Sequence, residues 1–207
     1  MTIATGAFLV ILTWLIAALV LITAGLLAAL SGQRRAAAPT LLRTSFWWGL
    51  LITTIFAAGM SLIAPLGSTQ TAISGVILLL ALGVPGWLLL LRQRTVWPRW
   101  HRTWGTGLLI ISALLVTIYL AFAALGPVTN YDSGLYHLGA IRYVSEYAAI
   151  PGLANLYFPF GYGTTQFPLA ALLTNGPWGP EGYRLREAED QSVEEAIPLR
   201  TPRPIGQ

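Results

Sequence analysis

Four long apolar runs, free of Asp, Glu, Lys, Arg and His, constrain this chain more than any other feature. They extend from about Gly6 to Leu30, Phe46 to Ala64, Ala72 to Leu91 and Trp104 to Leu125. Each approaches the ~20 residues an α-helix needs to cross ~30 Å of hydrocarbon. Water cannot satisfy backbone N–H and C=O groups there, so a span must satisfy them internally, as a helix does. Composition agrees: of 207 residues, 55% are hydrophobic and 10% charged, against about 25% charged in a soluble domain. The expected fold is an all-α integral membrane protein with four transmembrane helices. An extracytoplasmic loop region with one interfacial amphipathic helix follows them. The first run is too long for a signal-peptide core and has no basic residue before it, so cleavage is not expected.

Charge sets the expected orientation. All twelve basic residues are Arg. Arg34, Arg35 and Arg43 lie between the first two runs, and Arg92, Arg94, Arg99 and Arg102 between the third and fourth. The N-terminal tail and the Gly67–Thr71 connection carry no charge. Positive loops stay in the cytoplasm, so the N-terminus and everything after Leu125 are expected outside a plasma membrane. Trp47, Trp48, Trp97, Trp100 and Trp104 fall at the cytoplasmic boundary of that topology. It also accounts for the net charge of +4 without a nucleic-acid partner. The runs lack the intramembrane charges that ion and proton pathways use, which argues against a pump built from these helices. Gly83, Pro85 and Gly86 are expected to kink the third helix. Without Cys, disulfides and thiolate metal sites are excluded.

Three regions follow: a four-helix transmembrane region over 1–126, an extracytoplasmic loop region over 127–183, and a polar tail over 184–207. The tail crowds Arg, Glu and Pro without an apolar stripe and is expected to be disordered. The loop begins Tyr131-Asp132-Ser133-Gly134-Leu135-Tyr136-His137 and holds most of the reactive side chains. A helix is expected from about Ser133 to Ala148, capped by Asp132 or Ser133 and ended by Pro151-Gly152. Leu135, Leu138, Ile141 and Val144 would form its apolar side, with Tyr136, Ala140, Tyr143 and Tyr147 beside it. Arg142 and Glu146, four apart, can pair. Leu153 to Trp178 reads as irregular; the apolar stretch Phe167 to Leu173 is too short to span. No phosphate-binding Gly-rich loop, zinc-binding His pair or serine nucleophile elbow is present in the sequence.

The stretch from Tyr131 through Tyr143, then Glu146-Tyr147 and Pro151-Gly152-Leu153-Ala154-Asn155-Leu156, resembles a family of bacterial multi-pass membrane proteins. That family is similar to GT-C glycosyltransferases, which use polyprenyl-phosphate sugars. The resemblance covers roughly Asn130 to Tyr183. It implies an acidic residue early in an outer loop that acts as general base toward the acceptor or helps hold a divalent cation. Asp132 is the matching position for both the catalytic and the metal role. The resemblance further implies membrane lipid and a polyprenyl-phosphate sugar donor as partners, at the outer face of the bacterial inner membrane. Where the family often carries His after Ala-Asn-Leu, this chain has Tyr157. In GT-C enzymes the acidic loop usually follows the first helix; here it follows the fourth, with the same parity. Because relatives of this type continue through further helices, the chain is expected to be the N-terminal, truncated part of such an enzyme.

The residue types suit that chemistry. A carboxylate can take the acceptor proton, and a leaving phosphate needs positive charge from Arg or a metal. Arg142, His137, Tyr136 and Asn155 are the candidate substrate-binding residues. Each also has a structural reading: Asp132 as a helix cap, Arg142 as Glu146's partner, His137 and the tyrosines as interface packing, Asn155 as a turn former. The alternative function is a non-catalytic membrane protein whose aromatic outer loop binds a partner or an envelope glycan.

Overall fold

Long apolar segments should form helices longer than soluble domains use, and they do. The computed structural model describes residues 3–32, 37–92, 104–125, 136–156 and 165–172. Among these residues there are helices and turns and no strand. In chain order the helices are α1 (Ile3–Gly32), α2 (Ala38–Ser61), α3 (Thr69–Arg92), α4 (Trp104–Ala123), α5 (Leu138–Glu146), α6 (Leu153–Leu156) and α7 (Gln166–Leu172). The first three are long and apolar enough to cross a membrane and point to a multi-pass membrane protein. α4 is apolar over Gly107–Ala123. On its surface Leu108, Leu109 and Leu115 are each more than 60% exposed. In water, a patch of that kind would be a liability.

Two boundaries differ from the sequence reading for identifiable reasons. α2 begins at Ala38, well before Phe46, because Pro39 pre-sets the first turn. Arg43 interrupts the apolar run but not the helix; it sits exposed near the end, where a long side chain can reach polar surroundings. α3 begins at Thr69 rather than near Ala72 because Ser68 caps it. The Thr71 N–H donates to Ser68 Oγ (3.3 Å), and Thr71 Oγ1 donates to the Pro65 carbonyl (2.9 Å). α3 then runs unbroken through Pro85.

α1 is the axis of the assembly. It packs against α2, α3 and α4. Its lower half meets α2 at small residues. A Cβ on Gly25 would collide with the Ser45 carbonyl oxygen and the Gly49 nitrogen, and one on Gly49 would collide with the Leu21 carbonyl. Small residues let membrane helices approach backbone to backbone, which supplies the packing that the hydrophobic effect cannot supply in lipid. Leu41, Ser45 and Gly49, four residues apart, and Ala57, eight further on, form the buried stripe of α2. α3 reaches α1 through Gly83, beside Thr23, and Gly86, beside Leu26 and Leu27.

Contacts along the chain fix the directions. Leu26, Ala29 and Leu30 of α1 gather with Leu41 at the start of α2 and Leu90 at the end of α3. Ala7, Val10 and Ile11 of α1 gather with Ala121 and Leu125 at the end of α4. α2 and α4 therefore run antiparallel to α1, and α3 parallel to it. The start of α1, the α2–α3 connection and the end of α4 share one end of the bundle.

Candidate functional site

The segment after α4 docks on that same end. Three backbone hydrogen bonds join it to the α2–α3 connection. Leu66 N–H donates to the Val144 carbonyl (3.0 Å), Gly67 N–H to the Ser145 carbonyl (2.8 Å), and Ala149 N–H to the Ser61 carbonyl (2.7 Å). Beneath them lies an apolar cluster. Ala57, Leu66 and Ala171 are fully buried, and Met60, Ile141, Val144 and Leu172 pack against them.

This docking reshapes the loop helix. α5 occupies Leu138–Glu146, preceded by a wider π turn at Tyr136–His137; it stops two residues short of the expected end at Ala148, and the expected start at Ser133 lies outside the described residues. It ends before Pro151 because Tyr147 turns extended. The next stretch bonds elsewhere instead: Ala149 N–H reaches the Ser61 carbonyl of α2, and Tyr143 Oη donates locally to the Ala148 carbonyl (3.3 Å). The segment read as irregular contains two short helices, α6 and α7. α7 packs against α5 and α2, with Phe167 and Ala171 facing inward.

The apolar side expected of α5 is present in Ile141 and Val144, and Ala140 is buried. The aromatic row holds one stacked pair, Tyr143 and Tyr147, with centroids 5.6 Å apart and planes at 26°. Tyr136 meets His137 edge to face at 4.4 Å. The His137 ring lies 5.3 Å from Phe167 of α7. Sequence reasoning did not single out Phe167 as a partner; it marked Phe167 only as the start of an apolar stretch too short to span.

Arg142 faces away from the docked side. Its Nε donates to Glu146 Oε1 at 2.9 Å, with the two side chains 62% and 47% exposed. The expected pairing is therefore present, and the guanidinium stands at the surface where a ligand can reach it. Asn155 is exposed in α6, the short helix that follows Pro151 and Gly152. Its N–H donates to the Gly152 carbonyl (2.9 Å), and Gly152 takes the left-handed φ of 87° that favours glycine. The structure thus gathers Tyr136, His137, Arg142 and the Tyr143–Tyr147 pair on α5 and its immediate flanks, with Asn155 in α6 beyond it.

Asp132, its roles as base, metal ligand and cap, and Tyr157, Trp97, Trp100, His101 and the tail lie outside the described residues. Among the described residues no group of three or more His, Asp or Glu could hold a metal ion.

The family model for a domain of unknown function, DUF8201, matches residues 8–177. The chain therefore belongs to that family, and the match takes in the helices and the docked loop together. Neither the curated proteins nor the solved structures include a significant match to it.

Proposed function

We propose that this DUF8201 chain carries the acceptor-activating part of a membrane glycosyltransferase of the GT-C type, moving a sugar from a lipid-phosphate donor at the outer face of the bacterial inner membrane. In this reading α4 is a fourth crossing and α5 lies at the interface. Asp132 takes the proton of the acceptor hydroxyl or holds a divalent cation. Arg142 meets the donor phosphate by exchanging its carboxylate partner for a phosphoryl oxygen. The observation that carries the proposal is the docking of α5 on the α2–α3 connection. It fixes a short helix bearing Arg142, with His137 and Tyr136 in the turn that leads into it, at the end of the bundle where α4 also ends. A lipid-borne phosphate would meet the protein at that level, and a rigid platform is what transfer between two bound substrates needs.

The test is sugar transfer in membranes expressing a full-length family member, supplied with labelled polyprenyl-phosphate sugars. Asp132→Asn should abolish transfer while leaving membrane insertion unchanged; transfer at the wild-type rate would overturn the proposal.

One observation favours a second reading. The stacked Tyr143–Tyr147 pair, with Tyr147 54% exposed, suits a non-catalytic outer loop that binds an envelope glycan or a partner by stacking. Under that reading Asp132→Asn is silent and loss of the tyrosine pair removes binding.

A further inference from the structure

A groove runs between α1, α2 and α3 beneath α7. Val20 and Ala24 form its floor on α1, Thr53 and Phe56 line it from α2, and α3 lines it from Thr71 to Leu79, with Gly75 midway. Leu172 of α7 closes the end nearest the docked loop. Its volume is about 260 Å³, well above the ~150 Å³ at which an apolar cavity accepts a molecule such as benzene. Left empty, its walls would forfeit dispersion contacts along their whole length.

We propose that this groove holds one acyl chain of a bilayer phospholipid, as a bound structural lipid. Three observations select that occupant. Thr71 to Leu79 covers about 12 Å at the ~1.5 Å rise of a helix, close to half of the ~30 Å hydrocarbon core. That suits a chain from a single leaflet and not a long isoprenoid. Among the described residues no charged side chain lines the groove, so its walls hold the lipid by its tail and do not recruit a multiply charged phosphate. Finally, the groove is flanked by helices long and apolar enough to cross a membrane, so lipid tails are the molecules available to fill it. Leu172 links the occupant to the loop, because α7 also carries Ala171 and Phe167, which pack on Leu66 and His137.

The test uses the full chain reconstituted in phosphatidylcholine, re-extracted in mild detergent and stripped of loose lipid, with retained lipid identified by mass spectrometry. Gly75 is the site to fill, because a Cβ there sits in ordinary contact with the Phe56 ring at 3.6 and 3.7 Å. Gly75→Ala should therefore retain lipid like the wild type. Gly75→Phe should retain less by on the order of tenfold, the change that about 1.4 kcal/mol of lost contact produces. Leu172→Ala, which leaves the three long helices untouched, should release lipid faster and keeps the test decisive should Gly75→Phe fail to fold. The proposal is overturned if the wild type retains no phospholipid, if it retains an isoprenoid phosphate instead, or if neither Gly75→Phe nor Leu172→Ala changes retention. Sugar transfer plays no part in the readout.

Discussion

Gly67 donates its backbone N–H to the carbonyl of Ser145 at 2.8 Å, which ties the short α2–α3 connection to the last turn of a helix beyond α4. The same junction includes Ala149 and Ser61, also bonded through their backbones. A chain without cysteine makes the junction easy to probe. Ser61→Cys with Ala149→Cys should cross-link intramolecularly with a short bis-maleimide in native membranes. Adding Leu66→Ala should reduce the yield. Leu66 is fully buried under the junction, and truncating such a leucine costs about 2–5 kcal/mol. Equal cross-linking with and without Leu66 would mean the loop docks by other contacts.

The α1–α2 crossing makes a sharper prediction about stability. A Cβ on Gly49 meets the Leu21 backbone carbonyl, which cannot step aside as a flexible side chain can. Gly49→Ala should destabilise at or above the ~1–3 kcal/mol typical of overpacking. Gly59 lies on the same helix, and a methyl group added there would meet open space. Gly59→Ala should therefore unfold at or slightly above the wild-type midpoint. Unfolding in mixed micelles reads both; a neutral Gly49→Ala would mean the two helices are not in backbone contact.

These contacts mark the limit of what the sequence makes legible. The bilayer demands long uncharged helices, so the apolar runs announce themselves whatever their neighbours do. Where a helix begins is a local matter, and Pro39 and Ser68 were available as signals that the apolar run masked. Where α5 ends is not local: the chain turns extended at Tyr147, and Ala149 then bonds to the carbonyl of Ser61, remote in sequence. His137 beside Phe167 is likewise a tertiary contact without a spacing rule. The Arg142–Glu146 pair was readable because both partners lie on one helix, four residues apart.

That pair separates structure from function. An exposed ion pair at this spacing contributes roughly 0.3–0.5 kcal/mol, so Arg142→Ala and Glu146→Ala should each leave thermal stability nearly unchanged. Under the transferase proposal their effects on activity diverge. Arg142→Ala should lower transfer and raise the KM for the lipid-phosphate donor, whereas Glu146→Ala should leave both near wild type. Equal losses in the two variants would make the pair a local brace for α5 and remove Arg142 from donor binding.

Orientation in the membrane can be read from single cysteines. Thr69 at the start of α3 and Thr165 just before α7 are exposed, and both belong to the end of the bundle where the loop docks. Arg43 is exposed near the opposite end of α2. The Arg-rich connections are expected inside. A membrane-impermeant maleimide added to intact cells should therefore label Thr69→Cys and Thr165→Cys but reach Arg43→Cys only after permeabilisation. The reverse pattern would place α5 on the cytoplasmic side, away from any donor presented at the outer face. Labelling of Thr69→Cys and Thr165→Cys from opposite sides would be the more serious result, because Gly67 and Ser145 could not then share a hydrogen bond, and α4 would not be the fourth crossing that the transferase proposal takes it for.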